Sequence, residues 1–241
     1  MGHSDGASPL DGPDSGELPK YQVEHYQVVA VSEEADLRQY EHFMREAYDP
    51  LGFVHESIRP AADSRCFRVI YGGQTSAIFR LTAVNDSTSP YFSIVPGALK
   101  PNGANASLLE VNNVVVGRTF RATPALGVIL RYCARTAAAE GYDFVVGTTR
   151  YQTLRYFADF GVNPVDHAPL HLLGRGDLLD FVIFYDTADP VSCQYIELRA
   201  KHFFHQQYVL KSIQSKYSAL LPRVSGRTPR AMESEGNAAC G

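Results

Sequence analysis

Glu110 sits in the run Leu108-Leu109-Glu110-Val111-Asn112-Asn113-Val114-Val115-Val116, an apolar and β-branched stretch with three polar side chains set into it. A strand this apolar along its length is covered on both faces, which places it inside a sheet. A carboxylate there is expected to lose water and hold its proton more tightly. That suits a general base taking a proton from an ammonium group, directly or through one water. The alternative is structural. Arg80 lies between apolar Ile78 and Leu81 and needs an anionic partner, which Glu110 or a substrate carboxylate can supply. Asn112 and Asn113 interrupt the apolar run, and buried amides must be satisfied. They either read a substrate or define a bulge.

Thr148, Thr149 and Arg150 close the strand-like run that starts at Phe144. Hydroxyls at a strand end can bind a carbonyl or an amine, although threonine is also an ordinary strand residue. The segment from Gly117 to Gly127 joins a strand to a helix start, where free backbone N–H groups and the helix dipole can meet phosphate. Arg118 and Arg121 add positive charge to it, and the competing reading is a capped helix. Arg155 is suited to a carboxylate or a phosphate, or to a solvated helix face. His167 and His171, and His202 and His205, have spacings seen in metal sites. No Cys or carboxylate set completes either pair, so no metal is expected.

The elements that must position these groups follow from periodicity. Residues 26–31 read as a strand, and Ser32 as the N-cap of a helix whose apolar face carries Leu37, Tyr40, Phe43, Met44 and Ala47. Two strands flank Gly72-Gly73 as a hairpin, and a polar insertion follows at 86–106. After the strand bearing Glu110, Thr123-Pro124 opens a helix that ends before Gly141. Then come a buried strand at 144–147, a short helix at 152–160, strands near 168–173 and 179–185, and a helix at 194–220. The order β-α-β-β-β-α-β-α-β-β predicts an α/β fold with a mixed sheet and helices on both faces.

The 241 residues are 45% apolar, and no Pro/Gly/Ser-rich linker breaks the middle, so one core is expected. Residues 1–20 and 222–241 are too polar to order themselves. A net charge of −4 without a Lys/Arg block points away from nucleic acid and from anionic membrane surfaces. The four dispersed cysteines form no CxxC pair, and no secretory or membrane-spanning run is seen. A reducing cytoplasm is the expected setting.

That order of elements resembles the GNAT acyltransferase fold, with a mostly antiparallel central sheet. Several residue groups are similar to its acyl-homoserine-lactone synthase (autoinducer synthase) and N-acyl amino acid synthase branch. Arg45-Glu46-Ala47-Tyr48 followed by Leu51-Gly52-Phe53 is like that branch's arginine, aromatic and "LGW" pattern. Asp63 and Ser64 precede the first hairpin strand, and Ser76–Leu81 resembles its strand with an arginine at Arg80. Phe92 stands where the branch has a phenylalanine, Leu109-Glu110-Val111 looks like the start of its "E-S-R" strand, and Phe144–Thr149, Arg155 and Gly161 resemble its "VG.T…R…G" segment. The match runs over residues 26–185. Two positions depart from the pattern. Asn113 replaces the arginine of "E-S-R", a departure from the members that use S-adenosylmethionine. Phe157, with Tyr156 beside it, stands where many GNAT enzymes have a tyrosine acid.

The resemblance implies a GNAT-like domain at 21–190 with a helical extension at 191–221. It implies an N-acyltransferase moving an acyl group from coenzyme A or acyl carrier protein to S-adenosylmethionine or a free amino acid, for a signal or secondary metabolite. Glu110 and Arg80 would be catalytic. Arg45, Tyr48, Phe53, Phe92, Asn112, Asn113, Thr148, Thr149, Arg155 and Tyr156 would bind substrate. Val114, Val116, Arg118, Arg121 and Leu126 would hold the donor's phosphopantetheine. Two other classes stay open: S-adenosylmethionine cleavage or cyclisation without an acyl donor, and a non-catalytic module that dimerises through Phe203, Phe204 and Tyr208.

Overall fold

The computed structural model describes residues 23–52, 63–121, 123–171, 179–189 and 199–220. Phe53, both expected tails, and the side chains of Phe203, Phe204, His202 and His205 lie outside this description.

Eight strands form one sheet: β1 (Tyr26–Ala30), β2 (Ser64–Tyr71), β3 (Gln74–Ala83), β4 (Leu108–Val116), β5 (Phe144–Arg150), β6 (Asn163–Pro164), β7 (Leu170–His171) and β8 (Leu179–Asp186). Their spatial order is β1-β2-β3-β4-β5-β8-β6, with β7 also on β8, and only β4 and β5 run parallel. The helices are α1 (Glu34–Tyr48), α2 (Tyr91–Ile94), α3 (Ala125–Glu140), α4 (Tyr151–Asp159) and α5 (Arg199–Tyr217). The mixed, mostly antiparallel α/β fold read from the sequence is therefore the one adopted.

Local chemistry explains most boundaries. Gly72 and Gly73 have φ of 55° and 78°, the double left-handed turn that a two-residue hairpin with native strand twist requires. Pro124 precedes the first residue of α3, and Gly141 ends the helix in the left-handed region. At α1 the cap is Glu33 and not Ser32, and it makes no side-chain capping bond. The segment expected to be a polar insertion contains α2 and buries Tyr91, Val95, Ala98 and Ala106 against Leu108, Phe144 and Val182. Its alternation of apolar and turn residues hides that packing at the sequence level. β6, a two-residue strand ending in Pro164, was also not apparent from periodicity; proline fits where it lies, at the sheet edge.

The sheet separates two apolar layers. On one side Phe67, Val69, Phe79, Leu81, Leu109 and Val111 pack under α3, joined by Val114 and Val116. Leu154, Phe181, Ile183, Val209 and Ile213 continue that side under α4 and α5. On the other side Tyr40 and Met44 of α1 meet Cys66 and Ile78, and the α2 segment covers Leu108, Phe144 and Val146. Val209 and Ile213 thus turn one face of α5 into the core, while Tyr208 is 72% exposed. Among the described residues no helix is long and apolar enough to cross a membrane.

Candidate active site

The sheet parts between β4 and β5. Their pairing runs Leu108↔Phe144, Leu109↔Val145 and Glu110↔Val146, and no further residues pair. Beyond that point β4 stays with β3 as far as Val116↔Ala77, while β5 stays with β8 as far as Arg150↔Asp180. Glu110 is therefore the last paired residue of β4 before a wedge opens between the two half-sheets. Gly147, just past the fork, is held close: a Cβ there would lie 2.8 Å from the Val111 carbonyl oxygen.

A bulge marks β4 at the same level. The β3–β4 register passes from Ile78↔Val115 to Arg80↔Asn112, so Asn113 and Val114 together face the single residue Phe79. Asn113 has φ of 53° and is the one non-glycine in the left-handed region among the described residues. Asparagine tolerates that conformation better than most side chains. Of the two readings of the Asn112-Asn113 pair, Asn113 forms the bulge, and its Nδ2 is buried with no hydrogen-bond partner. Asn112 instead accepts a hydrogen bond from Arg80 Nε at 2.6 Å.

That last contact bears on the two partners considered for Arg80, Glu110 and a substrate carboxylate. No ion pair joins Arg80 to Glu110: Asn112, directly across the ladder, receives the arginine. The Glu110 carboxylate accepts from the Tyr91 hydroxyl at 2.8 Å. Burial and the neighbouring Glu110 charge push the Tyr91 phenol well above its usual range, so it remains a donor at any ordinary pH. Tyr91 lies next to Phe92, the residue singled out from the sequence. Phe92 packs half-buried on the apolar α2 layer.

Register alternation gathers more groups on this side of the sheet. Thr82 and Arg80 of β3, Glu110 and Asn112 of β4, Thr148 and Arg150 of β5 and Asp180 of β8 share it. Tyr48, at the end of α1, joins them: burial raises its phenol, and the charges of Arg150, Asp180 and Arg80 all reach it. Asp180 is 4% exposed, and burial raises its carboxyl against the opposing pull of Arg150. Asp180 lies at the start of an apolar strand directly after residues 172–178, and no pattern in the sequence marks it. The sequence marks Arg150 only as a strand end.

Other expected site residues lie elsewhere. Thr149 points to the α3 and α4 side, where its hydroxyl is 2.6 Å from that of Thr153. Arg45 is exposed, with Glu41 at 3.9 Å. Arg155 donates to the Tyr156 hydroxyl at 2.8 Å, and Tyr156 is 46% exposed. Val114 and Val116 line the α3 side of the bulged strand. Arg118 and Arg121 are exposed on the short turn before α3, and Leu126 is half-buried in its first turn. Thr123 Oγ1 caps the Ala125 N–H at 3.3 Å. Among the described residues no group of three His, Cys, Asp or Glu side chains is placed to hold a metal.

No protein-family model matches the chain, and no curated protein matches it in sequence. Solved structures do. The N-acyl amino acid synthase FeeM from uncultured soil microbes superposes with a TM-score of 0.55 at 12% identity, covering 73% of this chain and 97% of that one. Arabidopsis thaliana NAA60, solved with acetyl-CoA, gives 0.54 at 11% identity, covering 67% and 98%. The CoA-dependent acyl-homoserine lactone synthase BjaI, solved with SAM and isopentyl-CoA, gives 0.48 at 14% identity over 73% of this chain and 90% of that one. The fold is that of the GNAT acyltransferases. In this GNAT-fold chain the bulged strand, the β4–β5 fork and the charged cluster beside them coincide.

Proposed function

We propose that this chain is an N-acyltransferase that moves an acyl group from a coenzyme A or acyl carrier protein thioester to the amine of a small amino-acid-like acceptor. The observation that carries the reading is the placement of Glu110 at the fork, anchored by Tyr91 through one carboxylate oxygen. The other oxygen is left to take a proton from the acceptor ammonium, directly or through a water. The free amine then attacks the thioester carbonyl, the C–N bond forms, and the C–S bond breaks. The proton given up by the amine ends on the departing thiol. Asn113 Nδ2, an amide donor without a partner at the bulge, suits the carbonyl oxygen on which charge develops.

The wedge between β4 and β5 gives a thioester arm a route between the half-sheets, past Val114 and Val116. Arg118 and Arg121 near the start of α3 provide positive charge for the pyrophosphate of coenzyme A or for the acidic surface of a carrier protein. The acceptor is a free amino acid or S-adenosylmethionine, and the product a signal or secondary metabolite. The reading also makes the chain a cytoplasmic enzyme.

A thermal-shift panel tests this. Wild-type protein is heated with acyl-coenzyme A esters of increasing chain length, S-adenosylmethionine and the amino acids. Ligand at a hundred times Kd adds about 2.7 kcal/mol to stability. The expected result is a raised midpoint with an acyl thioester and a further rise with one acceptor. Stabilisation by S-adenosylmethionine alone would replace acyl transfer with chemistry on that molecule.

A further inference from the structure

Thr149 of β5 and Thr153 in the first turn of α4 bring their hydroxyl oxygens within 2.6 Å of each other. The direction of that hydrogen bond follows from a second one. Thr153 Oγ1 donates to the Arg150 carbonyl at 2.9 Å, and a carbonyl oxygen can only accept. A hydroxyl carries one hydrogen, so Thr149 is the donor to Thr153. In the chain from Thr149 through Thr153 to the Arg150 carbonyl, the Thr149 hydrogen is the one that can turn to another acceptor without releasing the backbone. Thr149 itself is 8% exposed.

The fork gives that hydrogen a use. The ladder between β4 and β5 ends at Val146, and Thr149 lies three residues beyond it, paired to Phe181 of β8 while its other edge faces the wedge. Its side chain stands on the α3 and α4 side of the sheet, as Val114 and Val116 do, whereas Glu110 meets Tyr91 on the α2 side. With the base on one face and the thioester arm arriving along the other, the sulfur that joins arm to acyl group falls in the wedge on the Thr149 side. Among the described residues of α4 no phenol serves that place. Phe157, one turn after Thr153, packs half-buried among Leu154, Phe181 and Ile183 and has no proton to give. The Tyr156 hydroxyl takes the Arg155 hydrogen bond at the surface. The Tyr151 ring lies against Phe181 on β8, across β5 from the wedge.

We infer that Thr149 is a catalytic residue of the donor half of the reaction: its hydroxyl turns from Thr153 to the departing sulfur and donates a hydrogen bond to the charge that develops there. Thr153 is a positioning residue that holds this hydroxyl ready. The inference rests on the acyltransferase reading and adds a residue to it. As the C–N bond forms and the C–S bond breaks, the bonding electron pair passes to sulfur. Thr149 keeps its own proton, and the proton lost by the attacking nitrogen ends on the thiol. The turn favours the transition state, because a hydrogen bond to an anion replaces a weaker one between neutral hydroxyls.

The test uses the fact that a thiol of lower pKa leaves more easily and needs less help. Thiol release by the full chain is followed with the amino acids and S-adenosylmethionine as acceptors and with acyl groups from acetyl to palmitoyl. Each acyl group is supplied on coenzyme A, on acyl carrier protein and on para-nitrothiophenol. Thr149→Val should lower kcat by about ten- to a hundredfold with the coenzyme A or carrier thioesters, the loss of one hydrogen bond to a charged group. It should leave the para-nitrothiophenyl esters almost unchanged. Thr149→Ser, which keeps the hydroxyl, should restore the rate, and Thr153→Val should cost less than Thr149→Val. Thermal melts certify each fold, and Thr149→Ala gives the same comparison where the valine variant does not fold. An equal loss with both kinds of leaving group, or a Thr149→Val rate equal to wild type, overturns the inference and leaves the acyltransferase reading in place. Wild type that releases no thiol from any donor removes that reading, and the inference with it.

Discussion

Tyr91 donates its phenolic hydrogen to Glu110 Oε1 at 2.8 Å, from a four-residue helix that reaches over the sheet to the last residue of β4 that pairs with β5. This contact fixes one carboxylate oxygen and thereby sets the direction in which the other can act. Replacing Tyr91 by Phe removes a hydrogen bond to a charged group while keeping the ring that packs on Leu108 and Val146. Such bonds are worth about 1.5–3 kcal/mol. Tyr91→Phe should therefore lower kcat by roughly ten- to a hundredfold with a small change in melting temperature. Steady-state kinetics beside a thermal melt checks this, and a large loss of stability with kcat intact would make Tyr91 a packing residue only.

The bulge gives a second expectation. Asn113 occupies the left-handed region, where an alanine costs about 1–2 kcal/mol and a glycine is at ease. Asn113→Ala should lower stability by that amount. Asn113→Gly should keep the fold and still lose activity, because the buried Nδ2 donor is gone. Denaturant melts and acyl-transfer rates on the two variants separate backbone conformation from side-chain chemistry.

At the fork, Gly147 leaves room for the carbonyl of Val111 and for little else. A Cβ 2.8 Å from a backbone oxygen forces the strands apart where the wedge begins. Gly147→Ala should cost about 1–3 kcal/mol, the usual penalty of overpacking a core. It should also weaken acyl-thioester binding, measured by calorimetry, more than mutations of similar stability cost elsewhere in the sheet.

Asp180 gives a pH dependence with a definite sign. Its carboxyl is raised in the folded chain by burial, so between the ordinary aspartate range and the raised value the folded state binds more protons than the unfolded one. Stability then falls as pH rises through that window, and below the ordinary range, where both states hold the proton, it no longer changes with pH on account of this group. Asp180→Asn should remove this slope. The variant should be more stable than wild type at neutral pH and match it in strong acid. Urea melts from acid to neutral pH read the difference directly.

The sheet, the hairpin and the helix before Gly141 were legible because they rest on local signals: alternation, paired glycines, and proline and glycine at helix ends. Glu110, Arg80 and Asn112 were legible as polar residues set into apolar strands, although their pairing was not. Whether Arg80 meets Glu110 or Asn112 depends on a register shift at the bulge, and a left-handed asparagine leaves no periodic trace. Tyr91 and Asp180 carry no mark of their role in the sequence for a related reason. Their importance comes from what lies across the sheet from them, and one sequence records no cross-strand neighbours. Arg45, Arg155 and Tyr156 were singled out through family resemblance, yet they stand at the surface here.

The most direct test of acyl transfer at the β4–β5 fork is product formation followed by mass spectrometry. Wild type and Glu110→Gln are each incubated with acyl-coenzyme A and acyl carrier protein thioesters and with amino acids or S-adenosylmethionine. Acyl transfer by Glu110 gives an N-acylated product whose mass names the acceptor, with the rate falling by about 10²–10⁴-fold in Glu110→Gln, the usual contribution of a general base. An acylated product formed equally fast by Glu110→Gln, or no acylated product from any donor and acceptor while S-adenosylmethionine is consumed, would contradict it.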